Sequence, residues 1–369
     1  MSVRTVQEPS PVTLSHFAFL DPPAMYAVHH EGMSIVLSHI TARTCLRVSP
    51  GIPILETAPS TSMPLKPKAF NPADVSRARE FLASHGVPQK DLATLHILVR
   101  SPSERCSAKG VVSHVWRYPI PPSGLLKIDS GIFMVSPEVC AQQLATALKE
   151  TELIEYLFEL CGAYALPLHD GDYTERKPLT TVDALRKHVC NAAGQRGANI
   201  LKRALPFVRD GARSPMETAL CMLLILPRRL GGANLSRLKL AHRIDIVGAA
   251  KGLTRRTHVE CDAYLPKAKT DFEYNGIIHE SDKQAAIDTE RVNALEAMGF
   301  NCMTITRYAL FDQQSFERLM RGIARKAGMR EDRLDDEFAT RREALRQFVL
   351  RRHLGRANGL VAGEDAEIA

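Results

Sequence analysis

The sequence has no long uninterrupted apolar segment. A membrane-spanning helix requires about 18 consecutive apolar residues, and no segment of the chain approaches that length. The first twelve residues, MSVRTVQEPSPV, also have no apolar core of the kind that a secretory signal contains. These absences predict a cytoplasmic protein that makes no contact with a membrane.

Paired cysteines are also missing. Eight cysteines are present, and no two of them have the C-x-x-C spacing that zinc sites of the finger type use. Single thiols scattered over a chain of this size are typical of a reducing compartment, and they do not indicate a disulfide framework.

No charge of one sign dominates. Forty-eight basic residues face 41 acidic ones, so the net charge of +7 permits an acidic partner such as nucleic acid without requiring one. Hydrophobic residues make up 45% of the chain, which excludes a wholly disordered or fibrous protein. A length of 369 residues predicts two domains and a tail.

The first half of the chain mixes short apolar segments with helical spacing. Residues 1–24 are proline-rich and predict a loose lead-in. Strands are predicted at Met33–Leu37, Leu92–Val99 and Val111–Tyr118, and a helix begins after Ser38. Helices predominate after Ser136, so residues 25–209 read as one mixed α/β domain.

The pattern changes near residue 210. The predicted order there is a helix, two strands, a long helix and a strand, which is typical of a compact α/β domain over 210–310. Residues 311–356 read as a basic helical tail and 357–369 as disordered. The predicted elements of the second domain are Pro215–Leu226, Thr257–Leu265, Thr270–Gly276, Asp282–Met298 and Phe300–Thr306.

Two of these strands can place acidic side chains side by side. Strand residues alternate between two faces, which puts Asp262 on the polar face of one strand and Glu273 on the polar face of the next. The short turn at residues 266–269 makes the pair a hairpin. Two carboxylates so placed could bind one divalent cation. The alternative interpretation is an ordinary solvated hairpin face.

Several motifs in this segment resemble those of one nuclease family. Phe272–Gly276 followed by His279 resembles the E-x-D-G-x-x-H core of nuclease-like domains related to very-short-patch-repair (Vsr-like) endonucleases, within the PD-(D/E)XK superfamily. Ser214–Glu217 resembles the family's S-P-x-E helix start. Asp262 lies eleven residues before Glu273, the usual separation, and Met298–Arg307 resembles the closing helix end and strand. The resemblance covers about residues 210–310.

This resemblance implies a restriction-endonuclease-like α/β fold and Mg²⁺- or Mn²⁺-dependent cleavage of DNA. It implies Asp262 and Glu273 as metal ligands, Glu217 as a third acid, and His279 as a catalytic residue near metal-bound water or phosphate. The same cleft would be lined by one face of a helix, through Gln284, Asp288 and Arg291, with Arg291 available to a phosphate oxygen.

The chain departs from the pattern at Asn275. The superfamily has a lysine there, and this branch commonly has an aspartate. A neutral amide removes one carboxylate, which favours the alternative function: a non-catalytic regulator that binds DNA or a toxin.

Each candidate residue also has a structural interpretation. Ser214 with Glu217, and Ser281 with Gln284, fit capping boxes. His279 fits an ordinary turn. Asp288 and Arg291 fit a surface pair three residues apart.

The start of the chain has a second resemblance. Ser34–Leu46 resembles the S-H-x-(S/T)-A helix of bacterial abortive-infection antitoxin-like regulators, which implies a toxin or regulatory partner. His29, His30 and His39 form no predicted metal site, because no carboxylate or cysteine has suitable spacing. Six arginines within Thr340–Arg356 fit either phosphate contacts or a solvated helix face.

Overall fold

The computed structural model describes residues 35–57, 72–121, 123–275, 282–329 and 336–364. Several predictions fall outside these ranges: the lead-in 1–24, His29, His30, the first two residues of the strand Met33–Leu37, and His279. The side chains of residues 282–285 and 354–364 are also outside the description.

The first half of the chain alternates strands and helices, and its elements agree with most of the predicted ones. They are β1 (Ile35–Leu37), α1 (His39–Val48), β2 (Glu56–Thr57), α2 (Pro72–Ser84), α3 (Gln89–Leu92), β3 (Leu95–Val99), β4 (Val111–Val115), β5 (Leu125–Asp129), β6 (Ile132–Val135), α4 (Pro137–Leu144), α5 (Glu150–Cys161), β7 (Tyr164–Ala165), β8 (Thr174–Glu175), α6 (Val182–Asn191) and α7 (Ala198–Ala204).

Six of these strands form one mixed sheet in the order β2-β5-β6-β1-β3-β4. The central strand β1 is parallel to β6 and antiparallel to β3, and all three of its residues are buried. A short apolar strand with no polar alternation is expected to be covered on both faces. β7 and β8 pair separately.

The second half contains the candidate site. Its elements are α8 (Pro215–Ile225), β9 (Lys239–Asp245), β10 (His258–Leu265), β11 (Thr270–Asn275), α9 (Asp282–Ala297), β12 (Asn301–Thr306), α10 (Arg307–Phe311), α11 (Gln313–Lys326) and α12 (Asp336–Glu364).

Four strands form the second sheet, in the order β12-β11-β10-β9. β10 and β11 are the predicted hairpin: a 3-10 turn at Pro266–Ala268 and a left-handed Lys269 (φ 45°) reverse the chain. β12 runs parallel to β11 after the crossover through α9. Both halves are mixed sheets with helices, so the chain is α/β, as its sequence predicts.

Helix α8 packs against elements of both halves of the chain. It is apolar on nearly every side, which is the pattern of a fully buried helix. It contacts α5 from the first half, β10 and β11 from the second, and α12. Residues 32–369 form one compact unit, and one apolar core continues across residue 209. The boundary predicted at 209/210 stays a prediction.

The second half differs from its prediction in three places. Between α8 and β10, where the sequence predicts no strand, lies β9, whose alternation is too weakly apolar to be recognised in sequence. Of the C-terminal arginines, Arg342 and Arg346 are neither on a solvated face nor free for phosphate, because both are buried, and Arg351 forms a bidentate ion pair with Glu155 of α5. The helix also continues to Glu364, beyond its predicted end.

None of the described helices is both long and apolar enough to span a bilayer.

Candidate active site

The hairpin register brings the two predicted carboxylates together. Ala263 pairs with Phe272, and the backbone pairing of β10 with β11 ends there. The next residues in the same register are Asp262 and Glu273, one on each strand at the point where the backbone pairing ends. Residues directly opposite in an antiparallel pair point to the same face.

Asp262 is held in place by the neighbouring strand. Its Oδ2 accepts a hydrogen bond of 3.1 Å from the backbone N–H of Tyr274. Burial raises the pKa of Asp262 above its ordinary value, although that N–H group and the charges of Arg291 and Arg213 oppose the shift. The carboxylate is thus partly desolvated and is held through its Oδ2 atom.

Glu217 begins helix α8 and caps it. The Glu217 backbone N–H donates to the Ser214 hydroxyl (3.1 Å), and the Glu217 carboxylate accepts from the backbone N–H of Arg213 (2.8 Å). The predicted capping interaction of Ser214 with Glu217 is therefore present. Burial raises the pKa of Glu217, and the negative charge of Asp262 adds to the shift, so the two acids lie within electrostatic reach of each other.

Arg291 of α9 is not half of a surface pair. Its side chain is 5% exposed and donates to Asp271 at 2.7 Å, and it forms a second ion pair with Glu273. Asp271 is 1% exposed and Glu273 is 32% exposed. Arg291 is therefore not the surface residue of the structural interpretation: it faces the sheet, where β11 carries two acids.

Asp271 is a site residue that the sequence interpretation did not select. It lies two residues before Glu273, on the same strand face, and that spacing was the available signal. Burial raises the pKa of Asp271 to about 6 in spite of the Arg291 charge. Its Oδ1 is buried and has no hydrogen-bond partner among the described residues.

The remaining predicted residues are only partly placed by the structure. Asp288 is half-buried on α9, and Asn275 is half-buried at the end of β11, two residues beyond Glu273. Gln284 belongs to α9, but its side chain is outside the description, as is all of His279.

The donor set suits a hard divalent cation, because carboxylate oxygens are its preferred ligands. Within the described ranges, however, no three His, Cys, Asp or Glu side chains already converge on one ion position. Arg291 accounts for part of this, since it occupies the Glu273 carboxylate. The acids suit the metal by the chemistry of their oxygens, and Glu273 would have to turn away from Arg291 to become a ligand.

A separate group of histidines forms at the first sheet. His39, at the start of α1, stacks on His114 with ring centroids 3.5 Å apart, and His96 Nδ1 lies 2.8 Å from His114 Nε2. Burial and mutual proximity lower the pKa of His39 to about 3 and that of His114 to about 4. These rings are neutral at pH 7. His29 and His30, considered with His39 in the sequence, lie outside the described residues.

No family model, curated protein or solved structure matches the chain. The assignment of function therefore depends on the residues and their geometry.

Proposed function

We propose that this chain is a metal-dependent DNA endonuclease of the Vsr-like, PD-(D/E)XK type. In this proposal Glu217, Asp262 and Glu273 hold Mg²⁺ or Mn²⁺. The observation that carries it is the hairpin register, which ends at the pair Ala263 and Phe272 and makes Asp262 and Glu273 the next residue of each strand. The electrostatic coupling of Glu217 to Asp262 supports the third ligand.

A divalent cation bound there would supply an activated water and stabilise charge on a phosphodiester. The protein's own contribution is positioning. The Tyr274 N–H fixes Asp262, and the start of α8 fixes Glu217. Both carboxylates are partly desolvated, so a cation that neutralises them lowers the free energy of the folded site.

Arg291 is the protein's own cation at this site. Its buried partner is Asp271, and its more exposed partner is Glu273. We propose that Arg291 keeps Asp271 when metal binds, while Glu273 rotates toward the metal. Separating the buried Asp271 from Arg291 would leave an uncompensated charge in the core. That would cost far more free energy than separating the more exposed Glu273 from Arg291.

The alternative proposal is a non-catalytic regulator that binds DNA or a toxin with a degenerate nuclease fold. The ion pair between Arg291 and Glu273 favours it, because the site is already partly neutralised without metal. The neutral Asn275 favours it also. A DNA or toxin partner and a location in the bacterial cytoplasm are parts of these proposals.

Plasmid cleavage tests the enzyme proposal. With Mg²⁺ or Mn²⁺, wild-type protein should nick supercoiled DNA and Asp262→Asn should not, since the amide keeps the Tyr274 hydrogen bond and loses the charge. Asp245→Asn is the matched control: Asp245 is an acid of the same sheet, 66% exposed and paired with Arg243. It should cleave like wild type.

Equal cleavage by wild type and Asp262→Asn would identify a contaminating nuclease. DNA binding without cleavage by the wild-type protein would favour the regulator.

A further inference from the structure

A cleft of about 620 Å³ lies beside the candidate active site. Its walls come from the loop 166–173, the start of α8, the end of β11, the start of α10 and residues 351–353 of α12. This volume lies within the range of about 300–1,000 Å³ that small-ligand sites occupy.

The cleft leads to the carboxylates. Ser214, which lines it, is the N-cap residue whose hydroxyl binds Glu217. Tyr274, which also lines it, donates its backbone N–H to Asp262. Partial burial raises the pKa of the Tyr173 phenol, and the charges of Glu175 and Glu217 add to this, which places Tyr173 near Glu217 as well.

Two tyrosines line the cleft, Tyr173 and Tyr274. Tyr173 is 39% exposed and is braced edge-on against Tyr164, with ring centroids 6.2 Å apart. Tyr274 is half-buried. Exposed aromatic rings in a groove provide stacking surfaces for bases whose faces are open. In a duplex those faces are covered by the neighbouring base pairs.

Two arginines of the lining retain capacity for an anion. Arg307 lines the cleft, and its Nη2 is buried with no hydrogen-bond partner among the described residues, so this donor is left unsatisfied beside the cleft. Arg352 lies 3.8 Å from its nearest carboxylate oxygen, on Glu155, which is beyond hydrogen-bond distance. Arg351 has its guanidinium committed to Glu155. Asp170 and Asp172 also line the cleft, so its charge is mixed, and the tyrosines carry more of the argument than the charge does.

We infer that this cleft binds an unpaired DNA strand and delivers it to the carboxylates, so that the substrate class is single-stranded or locally unpaired DNA. The inference names the substrate of the proposed endonuclease and rests on that proposal. Tyr173 and Tyr274 stack on bases, while Arg307 and Arg352 contact the phosphates of the same strand.

Fluorescence anisotropy in EDTA tests it, because binding is then measured without cleavage. A labelled 20-nucleotide strand should bind wild-type protein about tenfold more tightly than the same sequence as a blunt duplex. Tyr173→Leu should weaken binding of the single strand about tenfold, in line with one lost base stack. Arg307→Gln should weaken it too and reduce the salt slope of log affinity by about 0.7.

The chain offers matched controls. Tyr118 is 37% exposed and packs edge-on against Trp116 beside the first sheet, so Tyr118→Leu should leave affinity unchanged. Arg105 is exposed and does not line the cleft, so Arg105→Gln should do the same. Circular dichroism of each variant verifies folding.

Equal or tighter binding of the duplex, or unchanged affinity in both cleft variants, would overturn the inference. Failure of the proposed function gives a different result: the strand binds in the cleft, and adding Mn²⁺ produces no cleavage by wild-type protein.

Discussion

At the residue scale, the site is governed by acids that the fold has partly removed from water. Asp271, Glu217 and Asp262 all have raised pKa values, with burial as the first cause. Period-two alternation was enough to predict that Asp262 and Glu273 share a face. It could not predict that Arg291 would pair with Asp271 and Glu273, because those contacts depend on how α9 crosses the sheet.

The pKa of Asp271 makes the stability of the protein depend on pH. A carboxyl whose pKa is about 6 in the folded state and 3.8 otherwise binds more protons when folded. Its contribution to stability is therefore complete below pH 4 and is lost as the pH rises through 6. The Asp271→Asn variant has no carboxyl group at this position, so its stability does not fall with pH for this reason.

We expect the free energy of unfolding of Asp271→Asn, minus that of wild type, to increase between pH 4 and pH 6. The increase over this range is on the order of 2 kcal/mol, since the whole shift corresponds to about 3 kcal/mol and part of it falls outside this pH range. Urea titrations at several pH values measure it. A difference independent of pH would mean that Asp271 titrates normally and that the account of its burial is wrong.

At the element scale, the main correction concerns α12. Its arginines looked like a nucleic-acid contact or a solvated face because charge patterning does not show which neighbours a helix will meet. In the structure Arg342 stacks on Phe338 and pairs with Glu317, and Arg346 donates to the backbone oxygens of Leu310 and Phe311. They fasten the helix to the rest of the protein.

Two arginines of α12 separate these interpretations. Arg346→Ala should lower the free energy of unfolding by about 1–3 kcal/mol, because buried carbonyls lose a donor. Arg341 pairs with Glu337 one turn earlier, and the Glu337 side chain is 82% exposed. Arg341→Ala should therefore cost no more than about 0.5 kcal/mol. Urea denaturation measures both variants. Equal small losses in the free energy of unfolding would mean that Arg346 lies on a solvated helix face.

At the scale of the whole molecule, sequence predicted the α/β class and most elements but could not show how the halves join. The buried hydroxyls of Tyr164 and Thr218 lie 2.8 Å apart across residue 209, and the Ala163 N–H donates to the Ala212 carbonyl at 2.7 Å. Contacts between distant segments leave no local pattern, since each segment only has to be apolar.

This shared core predicts one cooperative unfolding transition. Trp116, the single tryptophan, is buried beside the first sheet, and circular dichroism reports helices from both halves. Urea midpoints from tryptophan fluorescence and from circular dichroism should therefore coincide. Clearly separated midpoints would show that the segments before and after residue 209 unfold independently.

The most direct test of the central claim is calorimetric titration of Mn²⁺ into the metal-free protein, with Asp262→Asn and Asp245→Asn beside wild type. We expect one Mn²⁺ to bind wild type and Asp245→Asn with the same affinity, and binding to Asp262→Asn to be at least about tenfold weaker, because the amide removes one ligand charge. No binding to wild type, or equal binding to all three proteins, would contradict the proposal that Glu217, Asp262 and Glu273 form a metal site.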